Sequence, residues 1–465
     1  MLRRFRGVSA PFVPAALGAA KLAKRNKGPL LGCGIVVISA LMLIVIIIMR
    51  SNTIAIEFAA SEMVEDIKDS IQQSMRAKNS PEISKRVPIS RGDTYAMNTE
   101  EFINDIKRTD RNKIFEWHLD GASGVHFAIY TPPKPLMKIL VVGQLHAREL
   151  YSADMARFWM ASIMAQTPTL LRDYVEVRNH SLSEWVFVPV ANPCGRDLVT
   201  EAYTTALGGG GGEASSSNPN VTWRLCHRGN CDGVDLNRNW ITYGSSLYRK
   251  TSSLRLRRGR FWDGTPETNP GPEAFSEPES KFLRGLVHEI KPDLVISLHT
   301  GGVGFLHPPE DRDTETDIHS KFSPERLSIL RRLAGWGRMK TQIKPREQRH
   351  MEDAMVPVAG GSLLDYCVRH DVPLAFTLEL YVNETDSIYG PSPPEYRGSE
   401  HWGDSPLNCH RFYNPPQTLL LDSANRWLRF WKALFYLKPS ERAFFVGLLG
   451  WQHESQQPPA PSALP

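Results

Sequence analysis

Short uncharged runs rich in β-branched residues recur through the middle of the chain. They are Ile139 to Val142, Trp185 to Val190, Leu294 to Leu298 and Pro373 to Leu378, with His126 to Tyr130 as an earlier, less apolar one. Uninterrupted apolar runs of this length read as strands buried on both faces. Helix-period segments lie between and after them, beginning near Ala153 and ending with an amphipathic stretch from Gln417 to Tyr436. Ser276-Glu-Pro-Glu279 reads as a capping box opening a helix to about Ile290. Strands alternating with helices predict an α/β fold: a mixed, mostly parallel twisted sheet with helices on both faces.

The ends of the chain read differently. Residues 1–28 carry seven Lys/Arg and no acid, and Pro29 to Met49 is a run of 21 residues without a charge. At about 1.5 Å per residue that run spans the roughly 30 Å hydrocarbon core of a bilayer. A cleaved signal has a shorter apolar stretch, about 7–15 residues, so length favours a transmembrane signal anchor over it. Basic residues on its N-terminal side hold that end in the cytoplasm. The expectation is a type II membrane protein, anchored by residues 29–49, with its body extracellular or in the secretory lumen. Residues 50–94 then form a stalk, helical from Ile56 to Met75. Residues 95–436 form one catalytic-size domain, and 437–465 a tail that includes the apolar run Ala443 to Trp451 and a Pro-rich, disordered end.

Composition changes this picture little. With 465 residues and 41% apolar content the chain can bury a large core, and a net charge of +5 says little about partners. The second basic cluster, six of twelve residues from Arg249 to Arg260, reads as a solvated loop. No nucleic acid is expected as a partner. The Gly/Ser-rich residues 204–220 read as a surface insertion. Five cysteines lie outside the uncharged run, namely Cys194, Cys226, Cys231, Cys367 and Cys409. An odd number leaves at least one unpaired. Asn179, Asn220 and Asn383 head N-x-S/T sequons, which permit secretory exposure without requiring it.

Candidate chemistry gathers at the strand ends, where open α/β sheets bind ligands. His146 and Glu149 follow a strand closed by Gly143, and can turn a ring nitrogen and a carboxylate oxygen to one point. The spacing alone decides nothing, because His307 and Glu310 match it among prolines with no preceding strand. His299 follows PDLVISL and would fill a third ligand position. Glu379 ends the apolar run PLAFTL. A carboxylate there is costly to desolvate unless it is paired, ligating or catalytic, and burial raises its pKa toward the range of a general base. A structural ion pair is the competing account. Arg224, Asn237 and Arg238 supply positive charge and amide donors suited to a carboxylate or an oxyanion. Asp235 is placed to accept the second ring N–H of a ligating histidine.

The ordered set HARE, WR, GVDLNRNW, SEPES, ISLHTGG, GGSLLDY and FTLEL resembles the zinc carboxypeptidases of the carboxypeptidase A/B type over roughly residues 95–436. The His₂Glu donor set is the one known for carboxypeptidase A, and it comes with the resemblance rather than from spacing. The resemblance implies one zinc per chain, held by His146, Glu149 and His299. It implies Glu379 as the base, Arg224 polarising the scissile carbonyl, and Asn237 and Arg238 holding the C-terminal carboxylate of a peptide or protein. Arg148 would line a more distant subsite. Cys231 resembles a disulfide position, with no partner indicated. The family's mobile tyrosine is missing, its aligned position being about Val356. Leu364 and Thr377 stand where specificity is set and imply removal of hydrophobic C-terminal residues. Two alternatives remain: a zinc amidase or deglutamylase acting on a non-standard peptide bond, and an inactive carboxypeptidase-like binding module.

Overall fold

The computed structural model of the protein describes residues 93–132, 135–172, 183–208, 219–241, 268–308, 324–341, 361–383, 407–435, 437 and 439–455. The basic tail, the uncharged run 29–49, the stalk up to residue 92, residues 249–260, Val356 and the Pro-rich end lie outside the described residues. Among the described residues no helix is long and apolar enough to cross a membrane.

In chain order, a 3-10 turn at Thr94–Ala96 precedes α1 (Thr99–Thr109), β1 (Glu116–Leu119), β2 (His126–Tyr130) and β3 (Lys138–Val142). Then come α2 (Leu150–Arg172), β4 (Glu184–Val188), α3 (Pro193–Gly208), α4 (Pro219–Leu225) and α5 (Pro278–Ile290). These are followed by β5 (Leu294–His299), β6 (Gly302–Leu306), α6 (Pro324–Thr341), α7 (Leu363–Arg369) and β7 (Leu374–Tyr381). The chain closes with α8 (Leu407–Tyr413), a 3-10 turn, α9 (Leu420–Phe435) and α10 (Pro439–Ser455).

The seven strands lie in the order β1-β2-β4-β3-β5-β7-β6. β4, β3, β5 and β7 are parallel neighbours, whereas β1–β2, β2–β4 and β6–β7 are antiparallel. The sheet is therefore mixed, as expected, with a parallel centre and antiparallel flanks; three of its six pairings are antiparallel. Only six residues join β1 to β2, too few for the crossover of about a dozen that a parallel pair needs.

Alternation along the central strands divides the core in two. Leu294, Ile296 and Leu298 face one apolar cluster with side chains of α2, α6 and α9. Val295 faces a second cluster with Leu283, Leu286 and Val287 of α5 and Leu363 and Val368 of α7. Helices thus cover both faces, as the buried runs require. Because Ser297 and His299 continue the Val295 side, they emerge on the α5/α7 face at the carboxyl end of β5.

Two local readings change. α5 begins where SEPES places it, but Glu277 is its N-cap and makes no side-chain cap bond. The Ser276 hydroxyl instead donates to the Glu277 carboxylate and accepts from Asn239, so the capping box is not formed. The reciprocal box exists at α1, between Asn98 and Glu101. The apolar run after Tyr436 lies in α10, where Phe445 and Leu448 are buried in the first core cluster.

Phe430 on α9 is fully buried and meets Trp159, Phe305, Trp336 and Phe376. Phe430→Ala is expected to lower unfolding stability by about 3–5 kcal/mol. The check is a shift of the denaturant midpoint at unchanged slope.

Candidate metal centre at the carboxyl ends of the parallel strands

β3 stops at Gly143, where a Cβ would lie 2.6 Å from the Pro189 carbonyl oxygen. The chain turns there through Gln144, at φ +49°, and the next five residues carry it to α2. This turn lays His146 and Glu149 over the strand ends, while β5 delivers His299 beside them. All three side chains are buried.

The contacts define a point. His146 Nδ1 lies 2.7 Å from Glu149 Oε1, His299 Nδ1 lies 3.0 Å from Glu149 Oε2, and the two Nδ1 atoms are 3.1 Å apart. Their candidate ligand atoms all fall within 4.8 Å of one another, the single such group among the described residues. Two ring nitrogens facing each other cannot both donate, and a carboxylate only accepts. Convergent lone pairs of this kind fit a cation, and nitrogens about 2.0–2.1 Å from tetrahedral zinc stand roughly 3.3 Å apart.

The far side of each ring is held as well. His146 Nε2 lies 3.2 Å from Asp235 Oδ1, and His299 Nε2 lies 2.9 Å from the Ser297 hydroxyl. Asp235 also accepts from Arg228 Nε at 2.8 Å. Such outer partners fix tautomer and orientation of ligating imidazoles. Charge follows the geometry. Burial pushes the Asp235 carboxyl up, but Arg228 and His146 outweigh it and hold it well below the usual carboxylate range. Burial likewise opposes ionisation of Glu149, and His146 and His299 pull it well below its ordinary value. His299 is pushed down by burial and raised on balance by the Glu149 charge, with Glu379 adding to it.

Glu379 pairs in register with His299 across the parallel β5–β7 ladder. Thr377, buried two residues earlier, is paired with Ser297. The turn at residues 234–240 sits alongside. The Asn237 backbone N–H donates to Asp235 at 2.9 Å, and its side-chain oxygen accepts from Leu363 N–H at the start of α7. Arg238 donates to the Asn237 carbonyl at 2.8 Å, and its charge acts on Asp235. Asp235, Asn237 and Arg238 therefore border the cluster.

Three expected residues are placed elsewhere. Arg224, on α4, pairs with Glu201 of α3 at 3.0 Å, their side chains being 41% and 65% exposed. It is four residues too early, because α4 turns it to the surface. Arg228 is the arginine the fold carries to the metal centre. Composition could not separate the two, since both precede GVDLN and only the helix phase decides. Arg148 is 1% exposed, stacked 4.3 Å over the Tyr413 ring and donating to the Cys226 carbonyl. It sits inside the wall instead of along an open subsite. Leu364 is 1% exposed within the second core cluster, so α7 turns it into the interior.

Disulfides brace this region. Cys194 bonds Cys231, joining the start of α3 to the turn before Asp235, and Cys226 bonds Cys409 of α8. Cys231 thereby acquires its partner, and among the described residues Cys367 is the unpaired cysteine, buried in α7.

A family model described as zinc carboxypeptidase matches residues 131–405. Zinc carboxypeptidase A 1 of Drosophila melanogaster is 26% identical over 262 residues, covering 54% of this chain and 51% of that protein. A zinc carboxypeptidase of Simulium vittatum is 26% identical over 246 residues, covering 52% of this chain and 69% of that one. The chain spans about half the length of the Drosophila relative. The solved carboxypeptidase A from Helicoverpa armigera aligns at a TM-score of 0.45 and 18% identity, over 80% of this chain and 81% of that one, a likeness too distant to carry an argument.

The purified protein is expected to hold one zinc per chain by elemental analysis and to lose it in His146→Ala. Asp235→Asn is expected to weaken zinc binding by about 10–100-fold in a chelator competition.

Proposed function

The chain belongs to the zinc carboxypeptidase family, and we propose that it is an exopeptidase hydrolysing the C-terminal peptide bond of peptides or proteins. The observation that carries this reading is the meeting of His146, Glu149 and His299 at one buried point, with Glu379 in register beside His299. These three residues would hold the zinc. When bound, zinc supplies Lewis acidity toward a carbonyl and a water.

The remaining roles belong to this chain's own side chains. Glu379 takes the proton of the attacking water and passes it to the leaving amine. Arg228, held by Asp235, supplies fixed positive charge toward the oxyanion that develops on the substrate. It takes the role first expected of Arg224. Arg238, with Asn237, receives the free α-carboxylate, and a clamp for a chain end explains exo- over endopeptidase action. Preference for an apolar C-terminal residue is kept from the family resemblance alone, since Leu364 faces the core and Thr377 is buried as well.

Anchoring through residues 29–49, with the catalytic domain outside the cytoplasm, is part of the same reading. It is supported by the 21 uncharged residues following a basic segment and by two disulfides, which persist in oxidising compartments.

Peptides ending in free Phe or Leu are expected to be cleaved faster than those ending in Lys or Glu, and their C-terminally amidated forms not at all. Cleavage confined to amidated ends would overturn the exopeptidase reading. Glu379→Gln should lower kcat by about 10²–10⁴-fold with zinc retained, and turnover at the wild-type rate would exclude Glu379 as the base. Arg228→Ala should lower kcat more than Arg224→Ala, which is expected to leave the rate unchanged. An epitope placed at the C terminus should be accessible on intact cells or protected inside vesicles, and a cytoplasmic epitope contradicts the orientation.

A further inference from the structure

Gln144 is fully buried and sits at φ +49°, a conformation unfavourable for a residue with a side chain. Its side chain is committed in both directions. Nε2 donates to the Ala147 carbonyl at 3.0 Å, inside the segment bearing His146 and Glu149, and Oε1 accepts from Arg196 Nη1 at 2.8 Å. Arg196, on α3, is itself fully buried and stacked 4.1 Å over Phe102. Its other donors go to the carbonyls of Thr94 (Nη2, 2.9 Å) and Met97 (Nε, 3.2 Å), where the chain enters the domain. Burial pushes Arg196 down to about 10, so it stays charged at neutral pH and needs these acceptors.

We infer that Gln144 and Arg196 are positioning residues for the zinc-ligand segment, and that through them the entry segment Thr94–Met97 helps to hold His146 and Glu149 in place. The inference rests on the assignment of those two residues as ligands. Neither Gln144 nor Arg196 spends a side-chain hydrogen bond on a ligand atom of His146, Glu149 or His299. Their effect runs through the backbone of Ala147, whose N–H is meanwhile fixed on the Arg228 carbonyl at 2.9 Å. A carbonyl released between the two ligands frees both to depart from the point they share. The entry segment is thus part of the metal centre's support.

The test uses the full chain and reads the rate at which zinc passes to a chromophoric chelator, with the thermal midpoint recorded for each variant. Gln144→Met keeps the shape and removes both bonds. Arg196→Lys keeps the charge and cannot serve three acceptors at once, so it tests the entry segment. Phe445→Ala on α10, distant from the segment in sequence and packed on Trp336, reports the effect of lost stability alone. Zinc release at least about tenfold faster in Gln144→Met and Arg196→Lys, with Phe445→Ala releasing at the wild-type rate, supports the inference. Wild-type release from both variants overturns it, as does equal acceleration in Phe445→Ala. Should Arg196→Lys not fold, Gln144→Met decides the link to Ala147. Wild-type protein that holds no zinc would instead refute the ligand assignment on which the inference depends.

Discussion

Burying His146, Glu149, His299, Asp235 and Arg228 in one place is the constraint that the rest of the structure answers to. Ionised groups taken out of water are strongly destabilising unless each is paired, and removing one partner leaves the others uncompensated. Here every member meets another within 3.2 Å, from Arg228 through Asp235 and His146 to Glu149 and His299. The arrangement satisfies itself everywhere except where two ring nitrogens and a carboxylate oxygen face one point.

That convergence needs a rigid frame, and the frame is mostly backbone capture. Around the ligand segment, Asn192 donates to the Leu145 carbonyl, Gln144 to Ala147, Asn414 to Arg148 and Ser152 to Glu149. Each donor is buried; Gln144 and Ser152 close the segment on itself, while Asn192 and Asn414 pin it from remote parts of the chain. The two disulfides act on the same neighbourhood, tying α3 and α8 to the segment between α4 and Asp235. Arg148 belongs to this frame. Its stack on Tyr413 and its bond to the Cys226 carbonyl make it a brace for the α8 contact.

The parallel centre of the sheet sets the geometry of the chemistry. Register pairs Ser297 with Thr377 and His299 with Glu379, so a metal ligand and the proposed base are neighbours by strand pairing before any side chain is placed. The same alternation sends Leu298 and Leu378 into the opposite core. A slip of one residue in β7 would exchange Glu379 for an apolar side chain and leave a carboxylate in oil.

Much of this was legible in the sequence. Buried runs mark strands because uninterrupted β-branched residues have no other comfortable environment. HARE, ISLH and FTLEL place their polar residues just past such runs, where side chains leave the core together. Which pairings run antiparallel was not legible, because strand direction depends on connections and partners that no single run encodes. Nor could periodicity tell Arg224 from Arg228, or show that Leu364 faces inward: helix phase and packing decide which side of a turn meets the cavity. The capping box failed for a related reason, Ser276 finding Glu277 and Asn239 closer than the helix N–H groups it was expected to serve. By itself, then, the amino-acid order marked the buried strands and the polar residues at their ends, since an uninterrupted apolar run is comfortable only inside and a carboxylate or imidazole beside it must find a partner. Only the tertiary structure decided which arginine lies beside the His146, Glu149 and His299 cluster, how the cysteines pair, and that Gln144 and Arg196 tie the Thr94–Met97 segment to it, because each of these depends on distances between segments remote along the chain.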